Sequence, residues 1–241
     1  MTHCENSPAK TNCSVDAGRS LASNRRGWLW LAGAGLSLVL MAGCQQFVIL
    51  SYLIGGPPSI EPDFDKETGL SMKDKETTVA VVCFAPKEML LEFPHIDHEI
   101  AAHVSYQLGN NKIAIIKPDY VSAWVNSHPK WELAEEIGRE FKADYVIEIE
   151  LSTFSLYEGT STTLYRGRTE ADVHVTAVDE GGRGERIFSK DLDFHFPLRV
   201  PRSSTEQELL PFKREYISRL SEKIGWMFHE SYNGDTIPWA N

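Results

Sequence analysis

DYVIEIELSTFSLYEG, residues 144–159, is the stretch on which the fold turns. Tyr145, Ile147, Ile149 and Leu151 alternate with Val146, Glu148 and Glu150. A period of two is that of a strand, and the acidic side chains on alternate positions predict one wet face. Immediately upstream, HPKWELAEEIGREFKAD has the helical period. Trp131, Leu133, Ala134, Ile137 and Phe141 fall on its apolar side, with Glu132, Glu135, Glu136, Arg139 and Glu140 opposite. The period therefore switches from helix to strand at Ala143-Asp144.

Working outward, TVAVVCF (78–84) is a short valine-rich run bounded by Pro86, the pattern of a buried strand. Ile96, Ile100, Val104 and Leu108 then recur every four residues, with Ala101 and Tyr106 beside them, and Gly109-Asn110-Asn111 ends that helix. KIAIIKP (112–118) is a second apolar strand, as central as the first by its composition. Strand, helix, strand in that order predicts a right-handed crossover and parallel pairing. PDYVSAWVNS (118–127) is a short helix beginning at Pro118 or Asp119, with Val121, Trp124 and Val125 apolar.

Downstream, Ala171, Val173, Val175 and Ala177 alternate with Asp172, His174 and Thr176. Ile187, Leu192, Phe194 and Phe196 carry the apolar side of the next strand, with a bulge expected near Ser189-Lys190. The intervening EGGRGE (180–185) suits a hairpin turn. The last helix is expected from a cap at Ser203 or Ser204, with a stripe of Leu210, Ile217, Leu220, Ile224 and Phe228 and with Pro211 near its start. The fold class is α/β (α+β), a mixed sheet of about five strands in the order β-α-β-α-α-β-β-β-α, with helices covering at least one face.

The 241 residues do not all belong to that body. The expected division is a signal peptide over 1–43, a membrane-proximal segment and linker over 44–77, the α/β domain over 78–232 and a short tail over 233–241. Arg25-Arg26 precede WLWLAGAGLSLVLMAG, a positive region before an apolar one, and small residues lead into Cys44. Met41-Ala42-Gly43-Cys44 has the form of a bacterial lipoprotein processing site, with Met41 in place of the usual leucine. It predicts cleavage before Cys44, lipidation of Cys44 and a domain held at the cell envelope facing the periplasm. The alternative is an uncleaved helix over roughly 27–50 in a single-pass inner-membrane protein. FVILSYLIGG (47–56) prolongs the apolar run, and residues 27–56 would span ~45 Å as a helix, more than the ~30 Å hydrocarbon core. GGPPSIEPDFDKETGLSMKDKE (55–76), rich in Gly, Pro and charge, is expected to be a linker without regular elements. In the tail, Ile237 and Trp239 are expected to pack back on the body.

The formal net charge is −10, and residues 1–43 carry four basic and two acidic side chains, so residues 44–241 carry about −12. With no basic cluster, a nucleic-acid backbone is excluded as a partner. Of Cys4, Cys13, Cys44 and Cys83, only Cys83 would remain free after processing and lipidation, so no disulfide framework exists.

VAVVCF with its following helix, then KIAIIKPDYVSAW, then ELAEEIGREFKADYVIEIEL, resemble the periplasmic lipoprotein domains related to the amino-terminal domain of the Tol translocation protein and to curli-secretion lipoproteins. The matching residues are Ala134, Ile137, Gly138, Ala143, Asp144, Tyr145 and Val146, and VHVTAVDEGGRGERIFSKD resembles the later strand pair. CQQFVILSYLIGGPPSIEPDF is similar to small envelope lipoproteins of planctomycete-type bacteria. The resemblance implies a non-catalytic binding or assembly domain whose partners are other envelope proteins. The membrane is then a partner only through the N-terminal lipid or apolar segment. Neither residues nor resemblance sets the oligomeric state.

Few residues suggest chemistry. His95, His98 and Glu99 lie at helical spacings of three and four and are the candidate metal ligands of an alternative, a membrane-anchored metal-dependent hydrolase. HIDHE is not the HExxH pattern, however, and a carboxylate at a helix N-terminus is favourable without a metal. Cys83 in an apolar strand reads as a small hydrophobe. Glu148 and Glu150 read as a solvated pair on a wet sheet face. Gly181, Gly182 and Gly184 lie between strands, so they suit a turn and give no phosphate-binding or other cofactor site. Tyr157, Tyr165, Trp226, Tyr232 and Trp239 lie near element ends and are candidates for a partner surface.

Overall fold

The computed structural model describes residues 58–74 and 77–240. The main sheet has the strand order β3-β2-β4-β5-β6. Its members are β2 (Thr78–Phe84), β3 (Ala114–Ile115), β4 (Tyr145–Tyr157), β5 (Leu164–Val178) and β6 (Gly184–Phe196). β2 pairs in parallel with both β3 and β4, while β4, β5 and β6 form an antiparallel meander. A short β7 (Arg202–Ser203) pairs with the start of β5.

Helix α2 (Lys87–Glu92) follows β2, then α3 (Ile96–Asn110) leads to β3. Helices α4 (Pro118–Ser127) and α5 (Ala134–Phe141) link β3 to β4, and α6 (Leu209–Gly225) follows β7. The expected order of strands and helices is thus present, with a mixed sheet flanked by helices.

Alternation decides where each strand residue goes. Val79, Val81 and Cys83 of β2 and Ile147, Ile149 and Leu151 of β4 point into the larger core, where they meet α3 and α6. The predicted α3 stripe of Ile96, Ile100, Val104 and Leu108 is fully buried there. Ala80, Val82 and Val146 point to the opposite face, into a smaller core with Val121 of α4 and Ala134 and Ile137 of α5. Gly138 lets α5 lie this close, because a Cβ there would run into Val178. β4 is therefore covered on both faces near its start. The expected wet face begins only where α4 and α5 run out.

Several expectations are corrected. β3 is a two-residue edge strand with Ala114 exposed, not a central one. The register shift in β6 lies between the pairs Val175↔Phe188 and Thr176↔Arg186, so Ile187 is the extra residue and Phe188 takes the core position. The last helix begins at Leu209. Pro211 lacks an N–H and is compatible only with a first turn, which forbids a start at Ser203. Leu210 is consequently exposed, and Phe212 and Tyr216 fill the core.

The segment expected to be a linker is part of the domain. β1 (Ser59–Ile60) pairs with β8 (Ser231–Tyr232), and α1 (Asp63–Thr68) follows. Phe64 and Met72 are fully buried. The Phe64 ring packs edge-on against Tyr145 and Phe188, its N–H donates to the Met227 carbonyl at 2.9 Å, and Asp63 pairs with Lys190 of β6 at 2.6 Å. Two apolar side chains in a polar segment leave no periodicity to read, so only the docking surface reveals them. In the tail, Trp239 is buried as expected, stacked on Trp226, while Ile237 is exposed.

Candidate functional site: the open sheet face and its cleft

Cys44, the predicted signal segment and the alternative helix over 27–50 lie outside the described residues. Among the described residues, no helix is long and apolar enough to cross a membrane.

The three candidate metal ligands are not brought together. His95 sits at the start of α3 with φ 64°, His98 Nε2 lies 3.7 Å from Asp119 Oδ1, and Glu99 pairs with Lys213 of α6 at 2.8 Å. His98 and Glu99 thus turn to different elements, and Glu99 serves as the ionic clasp between α3 and α6. Among the described residues no group of His, Cys, Asp or Glu is arranged to hold a metal ion. Cys83 is buried, and that burial pushes its thiol up, away from the nucleophilic thiolate. Gly182, at φ 76°, belongs to the β5–β6 turn. Of the aromatic partner-surface candidates, Tyr165 and Trp239 are buried, and only Tyr232 is exposed.

Asp144 of the Ala143-Asp144-Tyr145-Val146 motif has a structural task. Its Oδ2 accepts from the Thr78 N–H at 2.7 Å and from Thr78 Oγ1 at 2.9 Å, and its own N–H donates to the Thr78 carbonyl. The motif thus staples the starts of β2 and β4.

The unexplained polar residues lie on the sheet face that α4 and α5 leave open. Strand register places Glu150 opposite Asp172 and Asp172 opposite Asp191, and in the next row Glu170 opposite Asp193. Carboxylates directly across a ladder repel one another, so folding alone does not favour this pattern. His174 and Ser189 lie between these rows and the buried end of the face, with Ser189 Oγ 2.9 Å from His174 Nδ1 and Glu150 Oε1 4.0 Å from His174 Nε2. Serine, histidine and carboxylate are the right types for nucleophilic catalysis, but 4.0 Å is beyond hydrogen-bond reach, so the acid does not orient the imidazole.

At the covered end, the face dips into a cleft of about 430 Å³ bordered by Phe84, Pro86, Trp131, Glu132, Glu148 and Arg186. Its position follows from topology. The connection from β2 to β3 runs over one face through α3, and that from β3 to β4 returns over the other through α4 and α5. The carboxyl end of β2, beside the first half of β4, is therefore a switch point, where open α/β sheets leave a crevice. Glu148 makes the floor, with its side chain 9% exposed. Oε2 accepts from Thr176 Oγ1 at 3.2 Å and lies 3.9 Å from Arg186 Nη2, while Oε1 receives no hydrogen bond among the described residues. Burial pushes this carboxyl above the usual range, against the opposing pull of Arg186 and Thr176. The wall is aromatic: Trp131 packs on Phe84 with ring centres 5.0 Å apart and meets Trp124 edge-on, and Trp124 stacks on His128. Sequence alternation placed Glu148 on the polar side but could not report that it is buried or that Trp131 lines the same cleft.

No family model matches this chain, and no curated protein matches it. Similar solved structures include a PelC dodecamer from Paraburkholderia phytofirmans, 12% identical over 64% of this chain and 89% of that one, with a TM-score of 0.34. Lipoprotein GNA1162 from Neisseria meningitidis is 14% identical over 61% of this chain and 97% of that one, with a TM-score of 0.36. The hypothetical protein CT253 from Chlamydia trachomatis is 15% identical over 62% and 95%, with a TM-score of 0.39.

Proposed function

We propose that this protein is a cell-envelope lipoprotein, tethered through Cys44 and facing the periplasm, whose domain binds other envelope proteins without catalysis. The observation that carries the binding role is the open face of β4, β5 and β6, where carboxylates stand opposite carboxylates in two successive rows. Like-charge pairs on a sheet cost stability. A partner presenting positive charge would relieve that cost and would gain on-rate from the same field. The resemblance to Tol-type and curli-type envelope domains agrees with such a role. The separate pairing of His98 with Asp119 and Glu99 with Lys213 speaks against the metal-dependent hydrolase.

Photo-cross-linking in the native envelope tests this. A photoreactive residue at position 193, on the open face, is expected to give a discrete protein adduct, and Asp172→Lys with Asp191→Lys is expected to abolish it. The same residue at position 106, on the exposed outer side of α3, serves as the control. Equal adducts at both positions, or adducts insensitive to charge reversal, would overturn the assignment of this face.

A further inference from the structure

The cleft at the switch point differs from the flat acidic face beside it. Its floor carboxylate is nine-tenths buried and has one oxygen that accepts no hydrogen bond among the described residues, and its wall is aromatic. Deepening the protein-binding reading on which it rests, we infer that this cleft receives an arginine side chain of the partner, with the guanidinium on Glu148 and against the Trp131 ring.

The chemistry selects that group. Among the described residues that line the cleft, three carboxylates, Glu132, Glu148 and Glu150, stand with one cation, Arg186, so a second positive charge is accommodated. An incoming N–H satisfies Oε1 of Glu148, which Arg186 does not reach. A planar guanidinium can donate to a carboxylate and lie flat on an indole at the same time, which an ammonium cannot do as well. Arg186 itself is half-exposed and 3.9 Å from Oε2, within ion-pair range but outside hydrogen-bonding range. It neutralises the floor in the free protein and competes with the ligand for it. That competition gives the inference a sign that a merely structural Glu148 would not produce. Removing Arg186 strengthens binding, while neutralising Glu148 weakens it.

The experiment uses the full chain in a non-ionic detergent and the peptide acetyl-Gly-Arg-Gly-Arg-Gly-amide. Calorimetry gives the affinity, and indole emission reports on the tryptophans. The expected result is binding that Glu148→Gln and Trp131→Ala each weaken by about tenfold or more. Arg186→Ala is expected to tighten it, and Asp193→Asn, on the same face but outside the cleft, to change it by less than about twofold. A lysine peptide of the same length should bind more weakly. Arg186→Ala alters an exposed side chain and folds even if a cleft variant does not. Affinity unchanged in Glu148→Gln, weakened in Arg186→Ala, or equally sensitive to Asp193→Asn would overturn the inference, as would a peptide that does not bind. In each of those cases the cross-link from position 193 still decides separately whether the face binds proteins.

Discussion

Phe64→Ala is the perturbation that most directly separates a linker from a structural element. Phe64 is fully buried in a pocket formed by Tyr145, Phe188 and Phe228, with ring centres 5.7, 5.7 and 6.0 Å away. Truncation removes the apolar transfer gain of a whole aromatic side chain and leaves a cavity that three rings on different elements cannot close. Large-to-small replacements of this type cost about 3–5 kcal/mol. For a domain of this size, about 2–4 °C is lost per kcal/mol, so Tm should fall by roughly 10 °C. The assay is urea and thermal unfolding of the full chain followed by circular dichroism. Leu70→Ala, two residues beyond α1 at a side chain 45% exposed, is the matched control and should stay within about 0.5 kcal/mol of the parent. If Phe64→Ala also stays within about 0.5 kcal/mol, residues 59–72 do not belong to the folded body and the docking of α1 is wrong.

Further predictions concern the core, the pH response and the anchor. A Cβ at Gly167 would run into the Tyr216 ring, whose hydroxyl is 2.6 Å from Thr169 Oγ1 in the buried core. Gly167→Ala should therefore cost about 3 kcal/mol in urea unfolding, and Tyr216→Phe only about 1–2 kcal/mol. Asp144→Ala should cost about 1–2 kcal/mol, because it unpins the Thr78 end of β2 from β4. Burial holds the His229 imidazole below its ordinary 6.5, its Nδ1 2.9 Å from the Glu230 carbonyl and its Nε2 without a partner among the described residues. The unfolded chain thus binds the proton more readily, and stability should decline as pH falls below about 6.5, a slope that His229→Gln should reduce in urea titrations at several pH values. Glu148 has the opposite sign. Its carboxyl is raised by burial, so the folded state holds the proton more tightly, and Glu148→Gln should raise neutral-pH stability by up to about 1 kcal/mol. At the N-terminus, mass spectrometry of the mature protein should find an acylated Cys44 that Cys44→Ala abolishes. An intact chain beginning near Met1 would instead favour the uncleaved helix over 27–50.

What the sequence determined by itself was the order and type of the central elements. Residues that alternate by two or recur every four carry that information locally, and the faces of β2, β4 and α3 follow from it because one face must enter a core. The start of α6 was not legible in this way: the capping pattern at Ser203 and Ser204 points too early, and the helix begins at Leu209, where Pro211 falls in its first turn. Tertiary structure alone decided the rest. Phe64 and Met72 became core residues because a pocket lined by β4, β6 and the chain after α6 was there to receive them. His95, His98 and Glu99 share a helical neighbourhood in sequence, yet α4 and α6 supplied separate partners for His98 and Glu99. Glu148 and Glu150 look equivalent along β4. Glu148 is nine-tenths buried and Glu150 half-exposed, a difference set by the elements packed around each and not by the strand they share. The repulsive rows on the open face arise from the register of three strands, and register is a relation between segments that no single segment contains.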